Sequence, residues 1–321
     1  YYLDFFKVIG LFCVCLAHIS TIPTGLRIIR SFDVPFLMFV SAGLFSFTSS
    51  NVSYFSYLWK RFKRLVIPAW IYLFFLTVLF WITKKIDWIQ MLQSFLFMKG
   101  AAYGNTWIVL LYFVIALVVP FVMKIKWNFF SVCLVFIIQI LFELLCINTN
   151  LYSIKILEYT LFYIIPYGCV SFFGIYSLKT RRRNLLILSV VYCFITLFFL
   201  VLNNYSSDRF ISWLDFNQPA RLFYVSYSLA VTFLMFFLFR NKVNKLFNNK
   251  IVAFISSHSL WIYFWHYLFI MLASKITTFW LLEYLIVMSV SIFVVYGQTV
   301  VMDFLERKNT KLKSILIYFR G

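Results

Sequence analysis

The sequence predicts an all-α integral membrane protein: one bundle of ten transmembrane helices with both termini in the cytoplasm. Of its 321 residues, 64% are hydrophobic and only 12% are charged, whereas a soluble domain is about half apolar and about a quarter charged. The apolar runs have the length of a bilayer span and do not alternate as barrel strands do. Lys and Arg residues concentrate in every second connection between these runs, which sets the orientation.

Ten apolar segments are each close to the roughly 20 residues that a transmembrane helix needs. No linker or low-complexity tract separates them, so one membrane domain over residues 1–321 is expected. The predicted spans lie near residues 3–22, 28–48, 65–83, 105–123, 127–147, 156–178, 185–202, 222–239, 253–273 and 280–301.

The basic residues assign the two sides of the membrane. Of the 29 Lys and Arg residues, 19 lie in connections and the tail on the side of the N-terminus, and nine lie on the other side. Lys7 is within the first span. This excess indicates that both termini are cytoplasmic. Topology also accounts for the net charge of +19, so membrane lipid, and not nucleic acid, is the expected neighbour of these charges.

The first span carries two polar side chains on one helical stripe. Lys7 and His18 are eleven residues apart, which on an ideal helix leaves them about 20° apart in rotation and about 16 Å apart along the axis. Both are costly in hydrocarbon and therefore suggest a functional site. The alternatives are a Lys7 that snorkels to the interface and a His18 that is packed against a backbone carbonyl.

Cysteine and histidine usage gives no sign of a metal site. The six cysteines fall inside apolar spans, with no CxxC pair, and read as small buried hydrophobes. With three histidines and scattered acids, we expect no dedicated metal site.

Two connections on the outer side are longer than a turn. Residues 84–104 include an amphipathic stretch that is expected to lie in the interface, with Trp88 as an anchor. Residues 203–221 interleave acidic, basic and aromatic side chains. This mixture suits a sugar-binding surface, and it equally suits a solvated loop with an interfacial tryptophan.

Five strings, in order along the chain, resemble motifs of the acyltransferase 3 family of integral membrane acyltransferases. The first has a basic residue, ten residues and then a histidine; the second has the Pro–aromatic–Ser–x–Gly pattern at Pro35, Phe36, Ser41 and Gly43. The others resemble a basic pair, a Trp-led helix and a late Ser…Tyr…His segment. The strings are LDFFKVIGLFCVCLAH (3–18), SFDVPFLMFVSAGLF (31–45), KRFKRLVIPAW (60–70), NTWIVLLYFVIALVVP (105–120) and SLWIYFWHYLFI (259–270).

The resemblance implies transfer of an acyl group, usually acetyl from acetyl-CoA, to a hydroxyl of a cell-surface polysaccharide or its lipid-linked precursor. It implies a multi-pass protein of the plasma membrane. A transporter or flippase of lipid-linked glycans is an alternative that predicts paired broken helices. A glycan polymerase is a second alternative and should need a longer outer loop than 203–221.

The candidate site residues follow from the chemistry of acyl transfer. His18 is the natural general base, since imidazole titrates near working pH. Lys7, Arg61 and Arg64 lie toward the inner face, where cytoplasmic acyl-CoA would need cations for its diphosphate. The extended pantetheine arm is of the order of the Lys7–His18 separation, about 16 Å. A coenzyme held at Lys7 would therefore present its thioester near His18.

Other polar residues are candidates to assist. Asp33 is expected at a depth similar to His18 and either orients its ring or caps the second helix. His266 is either a second site residue or a satisfied core histidine, and His258 is expected to have no catalytic role. Glu143 and Glu283, near outer helix ends, are expected to be solvated. The candidate contacts to substrate or oxyanion are Ser41, Asn105, Trp107, Tyr112 and His266.

Lys7→Ala is expected to weaken acyl-CoA binding, and Lys7→Arg to retain part of the affinity, because a cation of either shape attracts a phosphate. The measurement is the CoA dissociation constant in detergent. Equal constants for the wild type and Lys7→Ala would remove Lys7 from the cofactor site.

Overall fold

The fold is helical throughout the part of the chain that the structure describes. The computed structural model describes residues 2–49, 53–83, 87–98, 106–148, 157, 160–205, 207, 209–241 and 249–319, and these ranges contain no β-strand. The helices are α1 (Tyr2–Ala17), α2 (Thr24–Ile29), α3 (Asp33–Ser49), α4 (Tyr54–Ile82), α5 (Trp88–Phe95), α6 (Trp107–Val122), α7 (Phe129–Asn148), α8 (Leu161–Lys179), α9 (Arg182–Asn204), α10 (Leu222–Phe239), α11 (Lys250–Ser257), α12 (Ser259–Ala273), α13 (Trp280–Lys308) and α14 (Lys313–Leu316).

The helices divide between two compact units, and α1 and α6 contribute residues to both. Unit 1 comprises residues 1–10, 23–52 and 114–248. Unit 2 comprises residues 11–22, 53–113 and 249–321.

The all-α membrane character is confirmed. Among the described residues, seven helical segments are long and apolar enough to cross a bilayer, by length and composition. Two shorter apolar helices, α6 and α12, accompany them. The full count of ten spans, the cytoplasmic termini and the single domain over 1–321 stay predictions.

Several helix boundaries differ from the predicted ones. The first α-helix ends at Ala17, well before residue 22, and its last turn tightens through bonds from the N–H groups of His18 and Ile19 to carbonyls three residues back. Helix α4 begins at Tyr54, so the basic residues near position 61 are helical. The span predicted at 253–273 is interrupted at His258.

The amphipathic stretch in the connection after α4 is confirmed as helix α5. Asp87 caps it, accepting bonds from the N–H groups of Ile89 and Gln90. Trp88 and Ile89 are 61% and 71% exposed, whereas Met91 is buried. The location of this helix in the membrane interface stays a prediction.

Unit 1 packs through aromatic rings and through close contact of α3 and α8. Phe6 of α1 stacks on Phe236 of α10, with ring centroids 4.4 Å apart. A Cβ atom added to Gly174 of α8 would lie 2.2 Å from the carbonyl oxygen of Phe39 in α3. Glycine is therefore required where the two backbones meet, as small residues commonly are between membrane helices.

Unit 2 packs the end of α1 against α12 and α13. Ile19, Ala273 and Val287 form a fully buried apolar cluster. At α12, the indole of Trp261 donates to the carbonyl of Tyr318 at 3.1 Å and stacks on Phe319. The segment after α13 therefore folds back onto the helices of its own unit.

Gly174→Ala is expected to lower the melting temperature in detergent, since overpacking against the backbone of Phe39 costs about 1–3 kcal/mol. Gly168→Ala in the same helix is the matched control, because its added Cβ would meet Val118 at an ordinary 3.6 Å. Alanine's helix propensity should leave that variant unchanged or slightly more stable. Equal melting temperatures for the two variants would contradict the close approach of α3 and α8.

Candidate functional site

A pair of histidines forms the centre of the candidate site, within unit 2. Nδ1 of His18 lies 2.9 Å from Nε2 of His266, although the two residues are 248 positions apart. The rings are stacked, with centroids 5.1 Å apart and planes at 27°. His18 follows the last turn of α1 and is half-buried, while His266 of α12 is fully buried. The structure thus joins two residues that the sequence analysis treated separately.

The second nitrogen of His266 is also occupied. Nδ1 of His266 donates to the carbonyl oxygen of Tyr263, one turn earlier in α12. The Tyr263 ring packs edge-on to His18 at 6.1 Å. The pair therefore rests on the backbone of α12, and the ring of His266 is held at both nitrogens.

Further tyrosines lie in the surroundings of Tyr263, whose ring contacts both histidines. Tyr263 shares its buried surroundings with Tyr72 of α4 and Tyr112 of α6, and Tyr112 is half-buried. Tyr72 is 1% exposed and stacks on Phe264 at 4.9 Å. Its hydroxyl has no hydrogen-bond partner among the described residues. A buried hydroxyl without an acceptor is costly in an apolar interior and available to a ligand.

Glu283 is buried, and the prediction of a solvated side chain was wrong. It is 0% exposed at the start of α13, and its Oε2 accepts from the hydroxyl of Thr21 at 3.1 Å. Its Oε1 has no hydrogen-bond partner within the described residues. The neighbouring Tyr284 donates to the carbonyl of Phe12 at 3.2 Å. These contacts fix the segment after α1 against α13.

Asp33 is held within unit 1 by an ion pair with Arg30. It is 2% exposed, and its Oδ1 accepts from the N–H of Val34 at 2.9 Å. Asp33 itself has helical backbone angles and continues a 3₁₀ turn into α3, so the N-cap interpretation was wrong. Its role in orienting His18 stays a prediction.

The connection at 203–221 is packed onto the segment before α3. The indole of Trp213 donates to the carbonyl of Ile28 at 3.1 Å and to the hydroxyl of Ser31 at 3.0 Å. Its ring stacks on Tyr227 at 3.9 Å, and Asp215 accepts from Ser212. Trp213 and Asp215, two of the residues behind the sugar-binding interpretation, are thus engaged within the protein, whereas Asp208 lies outside the described residues.

Glu143 forms a buried ion pair in unit 1, so its predicted solvation was also wrong. It is 4% exposed in α7. It accepts from Nε and Nη2 of Arg221 at 2.9 and 2.5 Å and from the N–H of Leu222 at 2.9 Å. This pairing could not be predicted from the sequence, because Arg221, just before α10, is 78 positions away from Glu143.

The other candidate residues are distributed over both units. Lys7 is half-buried and belongs to unit 1, as does the buried Ser41. In unit 2, Arg61 is 8% exposed with its guanidinium 5.3 Å from the ring centroid of Tyr57, whereas Arg64 is exposed. The half-buried Trp107 begins α6 of the same unit. Asn105 lies outside the described residues.

The described residues contain no group of three His, Cys, Asp or Glu side chains that could hold a metal ion. The groups that the structure brings together at the histidine pair are two imidazole rings and the ring of Tyr263. Imidazole suits proton transfer near neutral pH, and cations suit phosphate recognition. The fold is that of a multi-pass helical membrane protein, and two of its histidines are in contact within unit 2.

Comparison with known proteins identifies the family. The Acyl_transf_3 model, described as an acyltransferase domain, matches residues 1–299 of the chain. This protein belongs to the acyltransferase 3 family, as the five sequence strings predicted. Neither the curated proteins nor the solved structures gave a significant match.

Proposed function

We propose that this protein is a plasma-membrane O-acyltransferase with cytoplasmic termini. It moves an acetyl group from cytoplasmic acetyl-CoA to a hydroxyl of a cell-surface polysaccharide or its lipid-linked precursor. Membership in an acyltransferase family that matches residues 1–299 supports the reaction class. The identities of the donor, acetyl-CoA, and of the acceptor, a glycan, are part of our proposal and go beyond that reaction class.

The contact between His18 and His266 carries the proposal. Acyl transfer to a hydroxyl needs a base close to neutral pH, and imidazole is the side chain suited to that task. A base also needs a neighbour that holds its ring, and His18 has such a neighbour at 2.9 Å. His18 is half-buried, so part of its surface stays accessible for a hydroxyl.

The proposed step is direct attack. The acceptor oxygen bonds to the thioester carbonyl carbon as His18 takes the hydroxyl proton. The carbon–sulfur bond then breaks, and His18 returns the proton to the departing thiolate. The products are the O-acyl glycan and free CoA, so atoms and charge balance with His18 restored.

Cations on the cytoplasmic side supply the binding site for the coenzyme phosphates. Lys7, Arg61 and Arg64 are the residues proposed for this role. The exposed Arg64 presents its guanidinium to solvent and is suited to bidentate phosphate recognition. Arg61 lies over the Tyr57 ring, which restrains its position.

A hydroxyl donor is also needed for the charge that develops on the thioester carbonyl oxygen. Tyr72 is the best candidate, because its buried hydroxyl has no hydrogen-bond partner among the described residues and belongs to the surroundings of Tyr263. Ser41, Trp107 and Tyr112 stay predicted contacts to the substrate or the oxyanion.

The function is tested by incubating purified protein with radiolabelled acetyl-CoA and a panel of surface polysaccharides and lipid-linked glycans. His18→Ala is expected to lose at least about 100-fold in the rate of label transfer, because the general base is removed. His258→Ala is the matched control and should keep the wild-type rate. Near-wild-type transfer by His18→Ala would eliminate His18 as the base, and wild-type protein that labels no acceptor would contradict the function.

Tyr72→Phe is expected to lower kcat by about 100-fold with little change in KM for acetyl-CoA, since an oxyanion donor acts in the transition state. Tyr192→Phe is its control, because that hydroxyl already donates to Gln139 at 2.8 Å and should affect stability only. Equal kcat values for the two variants would show that Tyr72 has no role in catalysis.

A further inference from the structure

The protons on the two paired histidines are fixed by a backbone carbonyl. Nδ1 of His266 contacts the carbonyl oxygen of Tyr263, and a carbonyl oxygen can only accept. Nδ1 of His266 must therefore carry a proton. In a neutral imidazole the other nitrogen is then an acceptor, so Nε2 of His266 presents a lone pair to its neighbour.

This assignment determines the tautomer of His18. Its Nδ1 lies 2.9 Å from Nε2 of His266. Because the nitrogen of His266 accepts, Nδ1 of His18 must donate. A neutral His18 then has its lone pair on Nε2, the nitrogen directed away from the pair.

We infer that His266 is a positioning residue that locks His18 in the tautomer whose Nε2 is the base. This inference rests on the proposed function, in which His18 accepts the hydroxyl proton. Both ring nitrogens of His266 are engaged and the residue is fully buried, so His266 acts through His18 and not on the substrate. The lone pair of His266 also stabilises the imidazolium that forms when His18 gains a proton.

Burial explains why a histidine suits this position. A carboxylate would orient the ring as well, but it would place a charge at a fully buried point of an apolar bundle. A neutral imidazole accepts the same hydrogen bond without that charge. The carbonyl of Tyr263 holds the other nitrogen of His266. The chain of hydrogen bonds from Tyr263 through His266 to His18 therefore contains no carboxylate.

The first test is the tautomer of His18 in the whole protein, read from ¹⁵N spectra of histidine-labelled protein in detergent. The chain has three histidines, so His18→Ala, His258→Gln and His266→Gln assign every signal. The expected wild-type result is a protonated Nδ1 and an unprotonated Nε2 on His18. A proton on Nε2 of neutral His18 would overturn the inference, and this readout needs no enzyme activity.

The second test separates positioning from packing. His266→Phe keeps an aromatic ring but offers no acceptor, and His266→Gln places an amide oxygen near the position of Nε2. We expect His266→Phe to shift His18 toward the Nε2-protonated tautomer and to lower kcat by about 100-fold, with KM for acetyl-CoA nearly unchanged. The kcat of His266→Gln should be at least tenfold higher than that of His266→Phe.

His258→Phe is the matched control, since His258 also contacts a carbonyl one turn earlier in the chain, that of Phe254, and should keep both the His18 tautomer and kcat. Equal kcat values for His266→Phe and His266→Gln would overturn the inference. So would an unchanged His18 tautomer in His266→Phe. If His266→Phe does not fold, the inference is still tested by the tautomer of His18 in the spectra of the wild type and of His266→Gln. Absence of acyl transfer in the wild type would contradict the proposed function, while the spectra would still test the tautomer.

Discussion

Polar side chains inside an apolar bundle have to find their partners within the protein, because hydrocarbon offers none. Much of the organisation of each unit follows from this constraint. In unit 1, Glu143 takes three donors from the start of α10, and Asp33 takes Arg30. In unit 2, His266 lies between the carbonyl of Tyr263 and the ring of His18. The candidate site is thus one of several places where a buried polar group fixes two distant parts of the chain.

The helical character could be predicted from composition and segment length, because both are local properties of the chain. Helix ends were less predictable. Helix α4 starts at Tyr54, since a charged turn such as the one around Arg61 is compatible with a helix wherever its charges reach solvent or an aromatic ring. The interruption at His258 could not be predicted from hydropathy; at this point the Nδ1 of His258 contacts the carbonyl of Phe254.

The sequence analysis could select the two histidines of the candidate site but could not predict that they touch. His18 stood out because a histidine is rare in an apolar span, and His266 stood out through its motif. Their contact joins positions 248 residues apart, and a local sequence pattern cannot predict a contact between residues so distant in the chain. The buried, unpartnered hydroxyl of Tyr72 could not be predicted, because nothing in the sequence distinguishes it among 21 tyrosines. The burial of Glu283 was missed because its partner, Thr21, lies 262 positions earlier.

The ion pair between Glu143 and Arg221 also has a consequence for biosynthesis. The two residues are 78 positions apart, so at about 5–20 residues per second the arginine is made roughly 4–16 s after the glutamate. During that interval α7 carries an acidic side chain whose final partner does not yet exist. The acid must stay near the aqueous boundary until α10 arrives. Lateral assembly of unit 1 is therefore completed only after its last long helix has left the ribosome.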